Sequence, residues 1–126
     1  MKAMVVDDSR AIRLILTRTL SDLGYEVSQA ASGNQALAML TAQTDLPALI
    51  LVDWNMPGIS GLEFVRQVRC NPAMASVVLV MVTTETEIEQ MMTALEAGAN
   101  EYVMKPFTKE IITDKLRLLG LAEQMA

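Results

Sequence analysis

Ala48-Leu49-Ile50-Leu51-Val52-Asp53-Trp54-Asn55-Met56-Pro57-Gly58 joins a wholly apolar run to a carboxylate and then to a loop rich in turn formers. A run without polar alternation suits a strand buried on both faces, as in parallel sheets covered by helices. Pro57 and Gly58 break the chain soon afterwards, which leaves Asp53 at the carboxyl end of that strand. Open parallel sheets bind ligands at their carboxyl ends, where the strand order reverses. Other runs end in the same manner. Ala3-Met4-Val5-Val6 stops at Asp7 and Asp8, residues 77–82 stop at Thr83, and Tyr102-Val103-Met104 stops at Lys105. Five polar residues far apart in sequence are thereby expected in one crevice.

Helical patterns separate these strands. Asp8-Ser9 offers an N-cap to a helix with the apolar stripe Ile12, Ile15, Leu16, Leu20 and Leu23, and Gly24 is its natural stop. Residues 26–31 suit a short strand, and Ser32-Gly33-Asn34 opens a helix carrying Ala36, Leu37 and Leu40. Pro47 divides that helix from the strand at 48–52. A third helix carries Leu62, Val65 and Val68, and a fourth carries Ile88, Met91, Met92 and Leu95 at i, i+3, i+4 and i+7 before Gly98. A strand at 101–104 and a helix over about 108–120 complete five β-α units. The pattern predicts an α/β, flavodoxin-like, doubly wound (βα)5 three-layer sandwich whose parallel five-stranded sheet has the order 2-1-3-4-5. Strands 1 and 3 then flank the switch point, and Asp7, Asp8 and Asp53 end them. Residues 1–121 read as one domain and 122–126 as a C-terminal tail.

Composition narrows the function. The 126 residues are 52% hydrophobic but only 4% aromatic, so the core must be aliphatic, helped by ten Met. The formal charge of -5 and the lack of a basic stripe argue against nucleic acid, whose affinity comes from clustered Lys and Arg. Cys70 is the sole cysteine; it cannot form an internal disulfide, lacks the neighbours of a metal site and reads as an inert thiol at a helix end. No apolar stretch approaches the ~20 residues of a membrane span, and the N-terminus turns acidic too early for a secretory signal. A cytoplasmic monomer without membrane or nucleic-acid partners is the expectation.

Three carboxylates converging on one crevice repel one another and call for a cation. Magnesium suits a site with about two carboxylates, retained waters and a phosphate oxygen, with manganese as a substitute; the absence of His and of clustered Cys argues against zinc. Lys105 adds a compact positive charge and Thr83 a hydroxyl donor. An Asp so surrounded is equipped to attack phosphorus and form an acyl phosphate. Asp53 is the candidate nucleophile because it ends the central strand and enters a Pro-Gly loop, whereas Asp7 and Asp8 are better placed as ion ligands.

Val6-Asp7-Asp8-Ser9-Arg10, Val52-Asp53-Trp54-Asn55-Met56-Pro57, Gly61, Val82-Thr83-Thr84-Glu85, Ala97-Gly98-Ala99 and residues 102–108 form an ordered set across the chain. In this set the sequence resembles response-regulator receiver domains, and most closely those of chemotaxis. The resemblance implies that Asp53 accepts a phosphoryl group from a CheA-like sensor histidine kinase or a small phosphodonor. It implies magnesium held by Asp8, Asp53 and the backbone carbonyl of Asn55, with Asp7 acting through water. Thr83 and Tyr102 would form a switch pair, and Lys105 would bridge to the phosphoryl oxygen after a cis Lys105-Pro106 bond. Asn55 and Glu85 occupy the positions that tune self-dephosphorylation, and together they imply a short-lived phosphoryl group. Such a protein is a signalling receiver whose only chemistry is self-catalysed phosphotransfer and autodephosphorylation.

Each motif alone has a plainer reading: a helix cap at Asp7-Asp8-Ser9, a turn after Asp53, strand-end polarity at Thr83 and a surface tyrosine at Tyr102. Their joint order at four strand ends favours the phosphoacceptor. The rivals are a phosphate sink for a chemotaxis kinase, an aspartyl-phosphate hydrolase, which would want Asp where Asn55 stands, and a flavodoxin, which would want a phosphate cradle in place of Asp7-Asp8-Ser9-Arg10. The output face implied by the resemblance comprises helix 4, strand 5 and helix 5. Here the fourth helix is acidic where the best-known chemotaxis receivers are basic, which puts a flagellar motor switch partner in question. The Met residues read mainly as core, with Met91, Met92 and Met104 on or near that face.

Overall fold

Strands at the carboxyl ends of which the polar residues stand form one parallel sheet in the order β2-β1-β3-β4-β5. The computed structural model describes residues 1–84 and 88–121. Its strands are β1 (Lys2–Val6), β2 (Glu26–Ala30), β3 (Leu49–Val52), β4 (Val78–Thr83) and β5 (Glu101–Met104). The helices are α1 (Arg10–Asp22), α2 (Gly33–Ala42), α3 (Gly61–Arg69), α4 (Ile88–Ala97) and α5 (Lys109–Leu118), with a short 3-10 turn at Pro72–Met74. The flavodoxin-like (βα)5 architecture and its strand order are those expected from sequence.

The sheet divides the core in two. On one face Met4, Val6, Ile50, Val52, Leu79, Met81 and Tyr102 pack against residues from α2, α3 and α4, among them Ala36, Leu40, Phe64, Val65, Val68 and Ala94. On the other, Ala3, Val5, Leu49, Leu51, Val80, Val82 and Val103 meet Leu16 and Leu20 of α1 and Ile112 and Leu116 of α5. Strand residues alternate between the two clusters because successive side chains point to opposite faces. All four residues of β3 are buried, as an unbroken apolar run in a central strand requires.

Two helices depart from the sequence pattern. Ile15 belongs to the predicted stripe of α1, yet it is 52% exposed beside Leu14, while Leu16 and Leu20 hold the core. In α4 the predicted stripe faces outward: Ile88, Met92 and Leu95 are exposed, Met91 is half-buried, and Ala94 is the buried residue. Small Ala side chains let α4 approach the sheet, and periodicity in hydropathy does not register so modest a face.

Helix starts follow the expected capping chemistry. Ser9, Ser32, Ser60 and Thr108 each accept a hydrogen bond from the backbone N–H three residues on, at the heads of α1, α2, α3 and α5. Ser9 rather than Asp8 is the residue that caps α1, which leaves the Asp8 carboxylate out of the cap. Cys70 is exposed and closes α3.

Candidate functional site

Register fixes the centre of the site. Val6 pairs with Val52, and the Asp53 N–H donates to the Val6 carbonyl at 3.0 Å, so Asp7 and Asp53 emerge side by side from β1 and β3. Both are buried, Asp7 to 1% and Asp53 to 7% relative exposure, while Asp8 is exposed at the rim. One carboxylate oxygen from each of Asp7, Asp8 and Asp53 lies within 4.8 Å of the others. Asp8, Trp54, Asn55 and Met56 line a shallow cavity of about 550 Å³ beside them.

Lys105 reaches this centre from beyond β4. Its N–H donates to the Thr83 carbonyl at 2.9 Å, and its Nζ stands 2.8 Å from Asp7 Oδ2 and 3.3 Å from Asp53 Oδ2. The Lys105-Pro106 peptide is cis, as expected from the resemblance. Burial opposes the ammonium charge, but the hydrogen bond to Asp7 and the negative charge of Asp53 prevail, and Lys105 is held above its ordinary value. Asp53 is also raised, chiefly by burial; Lys105 opposes the shift, Asp7 adds to it, and a hydrogen bond to Thr83 opposes it. The carboxylate is therefore incompletely compensated by the groups around it.

The geometry of Asp7 is over-determined. One oxygen accepts from the Ser9 N–H at 2.9 Å, the other binds Lys105, and the Asp7 N–H donates to the Ala30 carbonyl. Arg13 closes the turn from α1: its Nη1 donates to the Asp7 carbonyl at 2.7 Å and its Nε to Gln29 on β2 at 3.3 Å. Arg13 and Gln29 did not stand out in the sequence, because any long donor can reach a backbone carbonyl. On the other side Gly61 presses α3 against the site. A Cβ at Gly61 would stand 2.1 Å from the Asp53 carbonyl oxygen, and the Gly61 N–H donates to the Trp54 carbonyl at 2.8 Å.

Thr83 is fully buried and hydrogen-bonded to Asp53, so it joins the same centre. Tyr102 is 4% exposed in the core beside Met81, and on β5 it shares a sheet face with Thr83 of β4. The surface-tyrosine reading is thus corrected: an edge strand carries this ring, but α4 covers the face to which it points. Trp54 is half-buried and Asn55 exposed in the loop after β3. Glu85 lies outside the described residues. Asp7, Asp8, Asp53, Thr83 and Lys105, all singled out from sequence, are therefore gathered in one place.

The oxygen-only donor set suits a hard divalent cation, and a buried carboxylate with too little compensating charge is the environment such an ion would relieve. A model of the response regulator receiver domain matches residues 3–117. The chain belongs to the response-regulator receiver family. It is 43% identical over 120 residues to the chemotaxis protein CheY1 of Helicobacter pylori, covering 94% of this chain and 96% of that protein. It is 44% identical over 117 residues to a CheY homologue of Campylobacter jejuni, covering 92% and 89%. The chemotaxis response regulator CheY4 of Vibrio cholerae has a similar structure, with a TM-score of 0.85 and 39% identity over 94% of this chain and 97% of that one. The protein is a CheY-like receiver of two-component, chemotaxis type, a signalling domain rather than a classical enzyme.

Proposed function

We propose that this receiver accepts a phosphoryl group on Asp53 from a histidine kinase and uses it to alter the face formed by α4, β5 and α5. The observation that carries this reading is Lys105 Nζ poised between the buried carboxylates of Asp7 and Asp53, with Asp8 at the open rim. A carboxylate oxygen of Asp53 attacks phosphorus, the P–N bond of a phosphohistidine breaks, and its electron pair leaves on the imidazole. Lys105 keeps its hold on Asp7 and exchanges its Asp53 contact for a phosphoryl oxygen, which neutralises charge where it develops. Magnesium, when bound, supplies further charge neutralisation at the phosphoryl oxygens. Asp8, Asp53 and the Asn55 carbonyl would hold that ion, with Asp7 acting through water.

Thr83 donates to Asp53 before the reaction and can donate to a phosphoryl oxygen afterwards. Its shift would alter the space beside Tyr102, the residue that links the pocket to the sheet face under α4. Asn55 and Glu85 would tune hydrolysis of the acyl phosphate, which is expected to be short-lived. A chemotaxis kinase is the proposed donor, in keeping with the relatives' names.

Trp54 gives the test, because it sits in the loop that follows Asp53. Magnesium followed by acetyl phosphate or beryllofluoride should change Trp54 fluorescence, and intact mass should rise by one phosphoryl group with acetyl phosphate. Asp53→Asn should abolish the mass change and the acyl-phosphate response. An unchanged response in Asp53→Asn, or none in the parent protein, would overturn the reading. An acyl phosphate lasting hours in the purified protein would remove the short-lifetime claim alone.

A further inference from the structure

Ser32-Gly33-Asn34 reads in sequence as the start of a helix. In the fold this head of α2 also meets the loop that runs from Asp53 to the start of α3. Asn34 Oδ1 accepts from the Ile59 N–H at 3.3 Å. A Cβ on Gly58 would collide with the same oxygen, so the loop backbone passes directly beside Asn34. Gly58 has a φ of +79°, in the left-handed region that glycine adopts without strain. Next to it, the Ile59 side chain fills the notch left by Gly33, where a Cβ would stand 2.7 Å from Ile59 Cγ1. The half-buried Ile59 also packs against the core cluster beneath α2 and α3.

The loop so held carries Asn55, whose backbone carbonyl is the ligand expected to join Asp8 and Asp53 at the ion. A side-chain ligand is aimed by its rotamer, but a carbonyl is aimed by the backbone on either side of it. Before Asn55 that backbone is fixed by β3, where the Asp53 N–H donates to the Val6 carbonyl. After it, the Gly61 N–H closes on the Trp54 carbonyl at 2.8 Å, and the Ile59 N–H closes on Asn34. The first closure lies within the β3–α3 unit; the second ties the loop to the neighbouring β2–α2 unit. That unit also holds the other side of the site, because the Ala30 carbonyl accepts from the Asp7 N–H. Ser32 and Gln35 stiffen the span between them: Ser32 Oγ accepts from the Gln35 N–H, and Gln35 Oε1 accepts from the Ala31 N–H at 2.8 Å. Residues 30–34 therefore join Asp7 to the loop of Asn55.

The geometry points to Asn34 as a positioning residue that sets the preference of the site for a small divalent cation over a large one. The inference rests on the ion reading proposed above and deepens it. Magnesium demands near-octahedral geometry with ligands at about 2.0–2.1 Å, whereas calcium accepts irregular cages at about 2.3–2.6 Å, so selectivity follows cavity size and ligand flexibility. A carbonyl braced from both units keeps the cage small. Released from Asn34, the loop yields to the larger ion and holds the smaller one less well. If Asn34 only starts α2, its loss changes the helix and leaves the ratio of the two affinities untouched.

The full chain and its variants are titrated separately with magnesium and calcium, followed by Trp54 fluorescence, and the ratio of the two dissociation constants is compared. Asn34→Leu keeps the size of the side chain and removes the acceptor. It should weaken magnesium about threefold, the net worth of one exposed hydrogen bond, and weaken calcium less, so that the preference for magnesium falls. Exchange of the Ile59 amide should quicken by a similar factor. Asn34→Asp keeps the acceptor; its added charge attracts both ions alike, so the parent ratio should return. Gly58→Ala, which forces the loop away from Asn34, should mimic Asn34→Leu, and the two changes together should cost little more than either alone. An unchanged ratio in Asn34→Leu, a ratio that Asn34→Asp fails to keep, or an Ile59 amide indifferent to Asn34→Leu would overturn the inference. A parent protein blind to magnesium would overturn the ion reading and this inference with it, whereas a parent that binds magnesium with the same selectivity as Asn34→Leu would remove the role of Asn34 alone.

Discussion

Asp53 combines burial with a charge that its neighbours only partly offset, and the sign of its shift sets a measurable outcome. A carboxyl raised above its ordinary value of 3.8 holds its proton more tightly in the fold than in the unfolded chain. Its stabilising contribution is therefore fullest below that value and is lost as pH rises through the folded value, so ionised Asp53 is a liability at neutral pH. Asp53→Asn keeps an oxygen that can accept from Lys105 and removes the charge. In chelator the variant should melt higher than the parent at neutral pH, by a few degrees, and the difference should shrink on acidification toward the unfolded value. A variant that melts equal to or below the parent across this range would contradict the assignment. Arg13 makes a second case. Arg13→Ala leaves the Asp7 carbonyl without its charged donor and the turn between β1 and α1 without its brace. The loss should cost about 1.5–3 kcal/mol and weaken magnesium in a Trp54 titration several-fold, with Gln29→Ala milder. Unchanged stability and unchanged magnesium affinity would remove Arg13 from the site's support.

At the scale of elements, α3 is held to the site by close backbone approach. Gly61→Ala would place a methyl 2.1 Å from the Asp53 carbonyl oxygen, so the loop from Asp53 to Ser60 or the head of α3 must move. The expected loss is about 1–3 kcal/mol, with a blunted Trp54 response to magnesium; a variant matching the parent in both would show that α3 adjusts freely. The strands were legible because β1, β3 and β4 are buried on both faces and read as continuous apolar runs. Asp7, Asp8, Asp53, Thr83 and Lys105 were legible for a related reason, as each interrupts or follows such a run. α1 and α4 were less so. Periodicity says that one side of a helix is apolar, but Ala94 and Ala97 carry little hydropathy, and the larger Ile88, Met92 and Leu95 outweighed them although they face solvent. The Arg13 brace left no pattern at all, because its acceptor is a backbone carbonyl that every residue possesses.

Across the whole molecule, the candidate ion site stands where the two central strands of the sheet end. Asp7 and Asp8 follow β1, Asp53 follows β3, and these strands pair directly and contribute to both halves of the core. A ligand held by both strands is lost when the sheet opens, so its binding should stabilise global folding rather than one loop. At a hundredfold excess over Kd the linkage amounts to about 2.7 kcal/mol, or roughly ten degrees in Tm for a domain of this size. Magnesium should therefore raise the parent protein's Tm by that order and slow amide exchange in β1 and β3 by a comparable free energy. Asp8→Asn and Asp53→Asn should lose most of the gain. Asp53→Asn, the more stable protein in chelator, then becomes the less stable one in saturating magnesium. This crossing separates an ion site from a surface effect: nonspecific screening of the -5 charge would stabilise parent and variants alike. A magnesium shift of equal size in all three proteins, or protection limited to the loop after β3, would show that the carboxylates do not act together on the fold.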